Sequence, residues 1–335
     1  MRENPHRRGL TPRILAPAAA VFVALLLLCL GGRWLEKQME KPQTRGNPAL
    51  RQAYEGLYEL NGGKYSLRSG ITSILLMGID RETVAASGFR NGGQADFLRL
   101  LVLDSEQKTL KQLQIDRDTM AEITILGVLG EASGTRRTQI GLSHGFGDGG
   151  AQSCELSMKA ASGLLGGIPI DFYLALNMDG IAALNDALGG VTVTLAEDLS
   201  ALDPAMVPGA TLQLTGTQAE LYLRGRRGAS SGTNRERMAR QQIYLSQLAD
   251  LLDAKLQADA NFAGELYDVL EPYLSTNLSR GRLINEIWAA RDYERADLIE
   301  PEGSYKIAPD GFVEFFADQE QMHKYAAELF CMPFP

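Results

Sequence analysis

Cysteine is scarce in this 335-residue chain. Only Cys29, Cys154 and Cys331 occur, too far apart for a CxxC pair and too few for a disulfide framework, which excludes zinc-site and disulfide-scaffold readings. Repeats and low-complexity tracts are lacking as well. With 22% charged and 7% aromatic residues, collagen-like, low-complexity and wholly disordered classes are out. An overall positive charge is also missing. The formal net charge of −8 gives an average surface that repels nucleic acid at physiological salt. What is left is a chain long enough for one large or two ordinary globular domains.

One absence is local. Residues 14–32, ILAPAAAVFVALLLLCLGG, carry no charged side chain; as a helix this run reaches about 28 Å, close to the roughly 30 Å of a bilayer's hydrocarbon core. Arg2, Arg7, Arg8 and Arg13 precede it, opposed only by Glu3, and such a basic flank stays cytoplasmic. The pattern predicts a cytoplasmic tail (1–13), a single membrane-spanning helix (14–32) and an extracytoplasmic remainder. A cleaved signal peptide is the alternative, but no small-residue cleavage site follows in GGRWLEKQME. Residues 33–70, interrupted by KPQTRGNP, read as a membrane-proximal stalk.

From residue 71 to 335 strand and helix signals alternate without a linker. ITSILLMGI (71–79), FLRLLVLD (97–104) and TLKQLQI (109–115) read as strands. The first two are nearly continuous apolar runs, which suits strands covered on both faces. AQSCELSMKAASGLLGG reads as a helix, then DFYLALN as a strand, MDGIAALNDALGG as a helix and VTVTL as a strand. TGTQAELYL and NRERMARQQIYLSQLADLLDAKL read as further helices, with a helical continuation from about residue 256. The predicted class is α/β, with helices on a central sheet. Glycine is concentrated between Gly127 and Gly150, a stretch predicted to be a long, mobile loop.

Two motifs in that stretch look catalytic and are set aside. Gly141-Leu142-Ser143-His144-Gly145 spells G-x-S-x-G, but a nucleophile elbow needs a buried strand before it, and TRRTQI is polar. His323, the candidate late histidine, lies in a polar helix. Gly145, Gly147 and Gly150 spell GxGxxG, yet Asp171 begins a strand rather than ending one, as a dinucleotide site would require.

Arginine carries the stronger signal. Arg224, Arg226, Arg227, Arg235, Arg237 and Arg240 fall within 17 residues, with Glu236 the only acid among them. Arg237 and Arg240 share a helical face, and Arg224 and Arg226 alternate on a segment read as extended. Guanidinium forks suit phosphate oxygens, so a phosphate or diphosphate is the expected ligand. Carboxylates gather at strand ends: Asp80 (followed by Arg81), Asp96, and Asp116-Arg117-Asp118. In an open α/β sheet such ends collect ligands, and beside a basic cluster they suggest Mg²⁺ or Mn²⁺ bridging to a diphosphate.

The order of these segments is itself informative. An apolar anchor, then SILLMGID, QADFLRLLVLD, LQIDRDT, GGIPIDFYLALNMDGIAALNDALGGVTV, LTGTQAELYLRGR and NRERMARQQ, resembles the LytR-CpsA-Psr family of envelope glycopolymer transferases over residues 70 to 250. The resemblance implies a central mixed sheet sandwiched by helices. It also implies an extracytoplasmic phosphotransferase that moves a phosphoglycosyl polymer, of teichoic-acid or capsule type, from a polyprenyl diphosphate carrier to peptidoglycan. Asp80 and Asp96 match the family's metal-associated aspartates. Arg117 matches the arginine of I-P-R-D, Arg224 and Arg226 the two alternating arginines, and Arg237, Arg240 and Gln241 the R-x-x-R-Q helix. Arg117, Asp96, Arg224 and Arg226 are then the catalytic candidates. Arg81, Arg117, Arg224, Arg226, Arg237, Arg240 and Gln241 are the diphosphate ligands, with Mg²⁺ or Mn²⁺ on Asp80 and Asp96.

The chain departs from the family's pattern at several positions. Gln94 stands where an arginine is usual, Asp116 replaces the proline of I-P-R-D, Asn234 replaces a common aspartate, and Gln139 and Gly141 stand for a lysine-asparagine pair. These departures keep open a membrane-anchored polyprenyl-phosphate binder with weak or no catalysis. A DNA-contacting transcriptional attenuator is a further alternative, disfavoured by the predicted location and acidity.

Overall fold

The computed structural model describes residues 57–80, 92–127, 130–225, 234–259, 261–291 and 293–334. The predicted cytoplasmic tail and membrane helix lie outside them, as do Arg81 and Arg226. Among the described residues no helix is long and apolar enough to cross a membrane.

The chain enters the fold through a hairpin, β1 (Tyr58–Leu60) and β2 (Gly63–Leu67). Asn61 and Gly62 form its turn with φ of 51° and 78°, the left-handed values that these two residue types adopt most readily. β2 also pairs with the last strand of the chain, β15 (Cys331–Pro333). The expected stalk, 33–70, therefore ends early: from Tyr58 onward the chain belongs to the folded domain.

The three aliphatic runs form the centre, as β3 (Ile71–Ile79), β4 (Ala95–Asp104) and β5 (Thr109–Ile115). Every residue of β3 except Gly78 is buried, as a strand covered on both faces requires. The chain then makes a hairpin of β6 (Met120–Leu126) and β7 (Ala132–Gln139), followed by a 3-10 helix over Ile140–Phe146 and α1 (Ala151–Leu164). The glycine-rich stretch is thus an ordered hairpin and a helical turn rather than a long loop. Among the described residues β7 pairs only with β6, and it is exposed along most of its length, so no hydrophobic alternation marks it as a strand.

β8 (Phe172–Asn177) lies parallel to β3 and leads into α2 (Met178–Leu188), whose first turn is capped by Asn177 accepting from the Gly180 N–H. Such a cap contributes about 1 kcal/mol. Gly189, at φ 88°, ends the helix. A small antiparallel pair follows, β9 (Thr192–Thr194) with β10 (Thr211–Gln213), so the predicted strand VTVTL stands outside the central sheet. α3 (Gly216–Arg224) opens on a Thr215/Gln218 capping box. α4 (Asn234–Ala258), α5 (Phe262–Leu270), β11 (Leu274–Thr276), α6 (Arg280–Ala290), β12 (Glu294–Ile299), a hairpin of β13 (Gly303–Ile307) and β14 (Val313–Ala317), and α7 (Gln319–Phe330) complete the chain.

The central sheet runs β11-β8-β3-β4-β5-β12, with β8/β3 and β5/β12 parallel and the other pairs antiparallel. It is the mixed sheet expected from the sequence. Alternate residues feed two cores. Ile74, Leu76, Phe97 and Leu101 meet apolar side chains of α2 to α6 on one face. Leu75, Met77, Leu98 and Leu100 meet those of α1 and α7 on the other. The buried side of α1 is built mostly from small residues, Ser153, Cys154, Ser157, Ala160 and Ala161, with Leu156 and Leu164 beside them.

Candidate functional site

Asp96 owes its position to an irregularity in the sheet. Gly78 pairs with Phe97 and Ile79 with Ala95, so Asp96 is a supernumerary residue in β4. A β-bulge of this kind turns two successive side chains to one face. Asp96 and Phe97 both line a cavity beneath α2, α3 and α4.

Two arginines from distant segments converge on that carboxylate. Arg117, in the turn after β5, places Nη1 against Asp96 Oδ1. Arg237, in the first turns of α4 and 4% exposed, bonds Asp96 Oδ2 at 2.9 Å through Nη1. The remaining donors of Arg117 are also engaged: Nη2 gives a 2.7 Å bond to Gln94 Oε1, and Nε contacts Asp118 Oδ1 at 3.3 Å. Gln94 is itself tied to Asp80. Its N–H donates to Asp80 Oδ1, and its carbonyl accepts from the Asp80 N–H at 3.0 Å. The ends of β3, β4 and β5 thus form one polar cluster.

Behind it lies a narrow apolar cavity of about 50 Å³, lined by Gly78, Phe97, Leu176, Ile181, Leu223 and Tyr244 among others, with Asp96, Arg224 and Gln241 as polar lining. Gln241 is 8% exposed, and its Oε1 has no hydrogen-bond partner among the described residues. Burial pushes the Tyr244 phenol well up from its usual range, and its hydroxyl bonds Asn185 Oδ1 at 3.2 Å. The floor of the cavity is therefore uncharged.

The other expected anion ligands are placed differently. Arg224 is the last residue of α3 rather than part of an extended segment, and it pairs with Glu220 one turn back at 2.6 Å while also lining the cavity. Arg240 is turned to the fold: it binds the Glu197 carboxylate and the carbonyls of Tyr222 and Gly225. Those bonds hold the end of α3 against α4. Among the described residues no group of three or more His, Cys, Asp or Glu is arranged to hold a metal alone.

The side chains of the discarded G-x-S-x-G motif are engaged within the fold. Ser143 is buried and donates to the Ile140 carbonyl, with Ser157 Oγ 2.9 Å away. His144 Nδ1 bonds the Gly92 carbonyl at 2.8 Å, and its Nε2 lies 3.7 Å from Cys154 Sγ. His323 sits apart on α7.

A model described as the LytR_cpsA_psr family matches residues 38–330. The chain belongs to that family. Among curated relatives, polyisoprenyl-teichoic acid–peptidoglycan teichoic acid transferase TagU of Halalkalibacterium halodurans is 31% identical over 212 residues, covering 62% of this chain and 60% of that protein. Among solved structures, B. subtilis TagV superposes with a TM-score of 0.59 at 23% identity, covering 78% of this chain and 98% of the other. TagT with bound octaprenyl pyrophosphate lipid superposes at 0.54 with 22% identity, covering 78% and 89%. These likenesses show the LytR_cpsA_psr fold.

Within the family frame the departures acquire physical meaning. At position 94, where an arginine is usual, Gln94 offers an acceptor and takes a hydrogen bond from Arg117. Gly141 admits no side chain: its N–H donates to the Arg117 carbonyl at 2.9 Å, and a Cβ there would come within 2.8 Å of the Ala95 carbonyl. Gln139, at the end of β7, bonds the Val313 carbonyl at 3.1 Å. Asn234 opens α4. Sequence reading missed Gln94 as a partner of Arg117, and it missed Tyr305, whose hydroxyl bonds Asp116 Oδ2 at 2.6 Å.

Proposed function

We propose that this protein is an extracytoplasmic phosphotransferase that moves a phosphoglycosyl polymer, of teichoic-acid or capsule type, from a polyprenyl diphosphate carrier to peptidoglycan. The observation that carries this reading is the convergence of Arg117 and Arg237 on Asp96 beside an apolar cavity. A polyprenyl chain is apolar and its head is a diphosphate, and this arrangement pairs one environment with the other. The named activity of TagU is of this kind. In this setting residues 14–32 form the single membrane pass and the domain stands outside the membrane, where both carrier and acceptor are found.

The cavity's 50 Å³ is far below the roughly 300 Å³ or more of ordinary ligand sites, so α2, α3 and α4 must move outward from the sheet to admit the carrier. The head then competes with Asp96 for Arg117 and Arg237, whose forks match phosphate oxygens. Arg224 at the cavity wall extends the anion site, and Arg226 and Arg81, outside the described residues, are its further expected ligands. The acceptor hydroxyl oxygen attacks the glycosyl-side phosphorus, the bond to polyprenyl phosphate breaks, and Asp96, released from the arginines, takes the hydroxyl proton. Guanidinium groups fixed in advance stabilise charge on the transferring phosphoryl group. Mg²⁺ generally uses one or two carboxylates plus substrate phosphates, and Asp80 and Asp96, at adjacent strand ends, suit such a site. When bound there, it supplies charge neutralisation on the diphosphate.

The competing reading of a binder with little catalysis draws on Gln94 and Asn234. Gln94 keeps Arg117 tied to the polar cluster as an acceptor, and the transfer assay separates the two readings. The test is transfer of a labelled polyprenyl diphosphate oligosaccharide to peptidoglycan with Mg²⁺ by the full chain. Arg117→Ala is expected to keep its melting temperature and lose about 10²- to 10³-fold in turnover. Unchanged turnover in that variant overturns the assignment.

A further inference from the structure

The family's proline before the site arginine fixes φ and stiffens the turn that presents it. This chain has Asp116 there, so the stiffness must come from elsewhere. Asp116 is 5% exposed and is held on several sides. Oδ1 accepts from the Asp118 N–H at 2.9 Å, an Asx turn across Arg117, and Oδ2 accepts from the Tyr305 hydroxyl at 2.6 Å. Its carbonyl accepts from the Thr119 N–H at 3.0 Å and from Thr119 Oγ1 at 2.6 Å.

Tyr305 comes from β13, 189 residues away along the chain. Its ring rests against Phe315 of β14 with centroids 4.7 Å apart, and the Phe315 N–H donates to the Asp118 carbonyl at 2.8 Å. The hairpin thus grips both residues that flank Arg117. The hairpin itself is secured by five register pairs between β13 and β14 and by the buried Phe315 ring. The Tyr305–Asp116 bond is superfluous to hairpin pairing and is directed at the turn.

We infer that Asp116 and Tyr305 are a positioning pair, which replaces the stiffness of proline and fixes Arg117 for its contacts with Asp96 and Gln94. Neither residue touches the reacting groups. The kinetic part of this inference rests on the transferase reading; the orientation of Arg117 does not.

The experiment compares Asp116→Ala, Tyr305→Phe and the double variant in the full chain. Each single variant is expected to lower kcat about 10- to 100-fold, since misplacement by roughly 1 Å costs that much, with KM for the labelled carrier within about twofold. The double variant should fall no further than the worse single one, because both cut one linkage. Leu329→Ala, on the buried side of α7, controls for lost stability and should leave kcat unchanged. In arginine-labelled protein the Nε–H resonance of Arg117 should shift and broaden in both single variants, and that of Arg240 should stay. Additive losses, a matching kcat loss in Leu329→Ala, or an unmoved Arg117 resonance overturn the pair. A wild-type chain that transfers nothing yet shows the Arg117 response overturns the transferase reading and leaves the pair standing.

Discussion

The two faces of the central sheet are both covered by apolar cores, and they differ in how those cores are packed. On the α1/α7 face, buried residues of α1, most of them small, share one core with Leu75, Met77 and Leu98. On the α2–α6 face, a glycine in β3 and large side chains, Phe97, Leu223 and Tyr244, leave a seam that ends at Asp96. One face is covered by α1 and α7 together with residues of β6 and the 3-10 helix. The other is covered by α2 to α6, whose side chains border the cavity, and it carries the polar residues at its rim. A ligand site needs the second kind of packing, and hydrophobicity alone does not distinguish the two.

Filling the seam gives the largest contrast. Ile181→Trp, at the cavity wall, is expected to leave the melting temperature within a few degrees and to weaken carrier binding at least tenfold, read as displacement of a fluorescent polyprenyl diphosphate. Ala161→Trp, on the closed face, should overpack the core and fail to give folded protein, at a cost well above the 1 to 3 kcal/mol of an added methylene. A seam that accepts Trp with full binding, or a closed face that accepts it without loss of folding, would erase the distinction. Truncation on the closed face comes next: Leu329→Ala, at a fully buried site, should lower unfolding free energy by about 2 to 5 kcal/mol in denaturant titration. The smallest effect concerns Cys154, whose thiol burial pushes up to about 12. As the thiolate is the nucleophile, Cys154 should resist alkylation at pH 8 in the native protein and react once unfolded, as followed by peptide mass spectrometry.

The runs that became β3, β4 and β5 were legible because each is a stretch of aliphatic residues bounded by polar ones. β7 was illegible because it is polar and exposed along most of its length, and the glycines of the surrounding stretch suggested a loop. Arg237 and Arg240 looked equivalent, three apart on one helix face. They differ only because Asp96 lies opposite one and Glu197 opposite the other, a fact of tertiary packing. Position 94 read as a missing cation, since a list of residue types does not say that its neighbour is another cation in need of an acceptor. The Tyr305–Asp116 bond joins residues so far apart that no local pattern could signal it.

The bulge at Asp96 has an evolutionary reading. Ala95 and Phe97 already pair with consecutive residues of β3, so deleting Asp96 would restore regular pairing and leave every later residue of β4 on its present face. One codon lost would remove the carboxylate that Arg117 and Arg237 share and spare the architecture. A relative lacking that carboxylate in this way would be recognised by a strand one residue shorter.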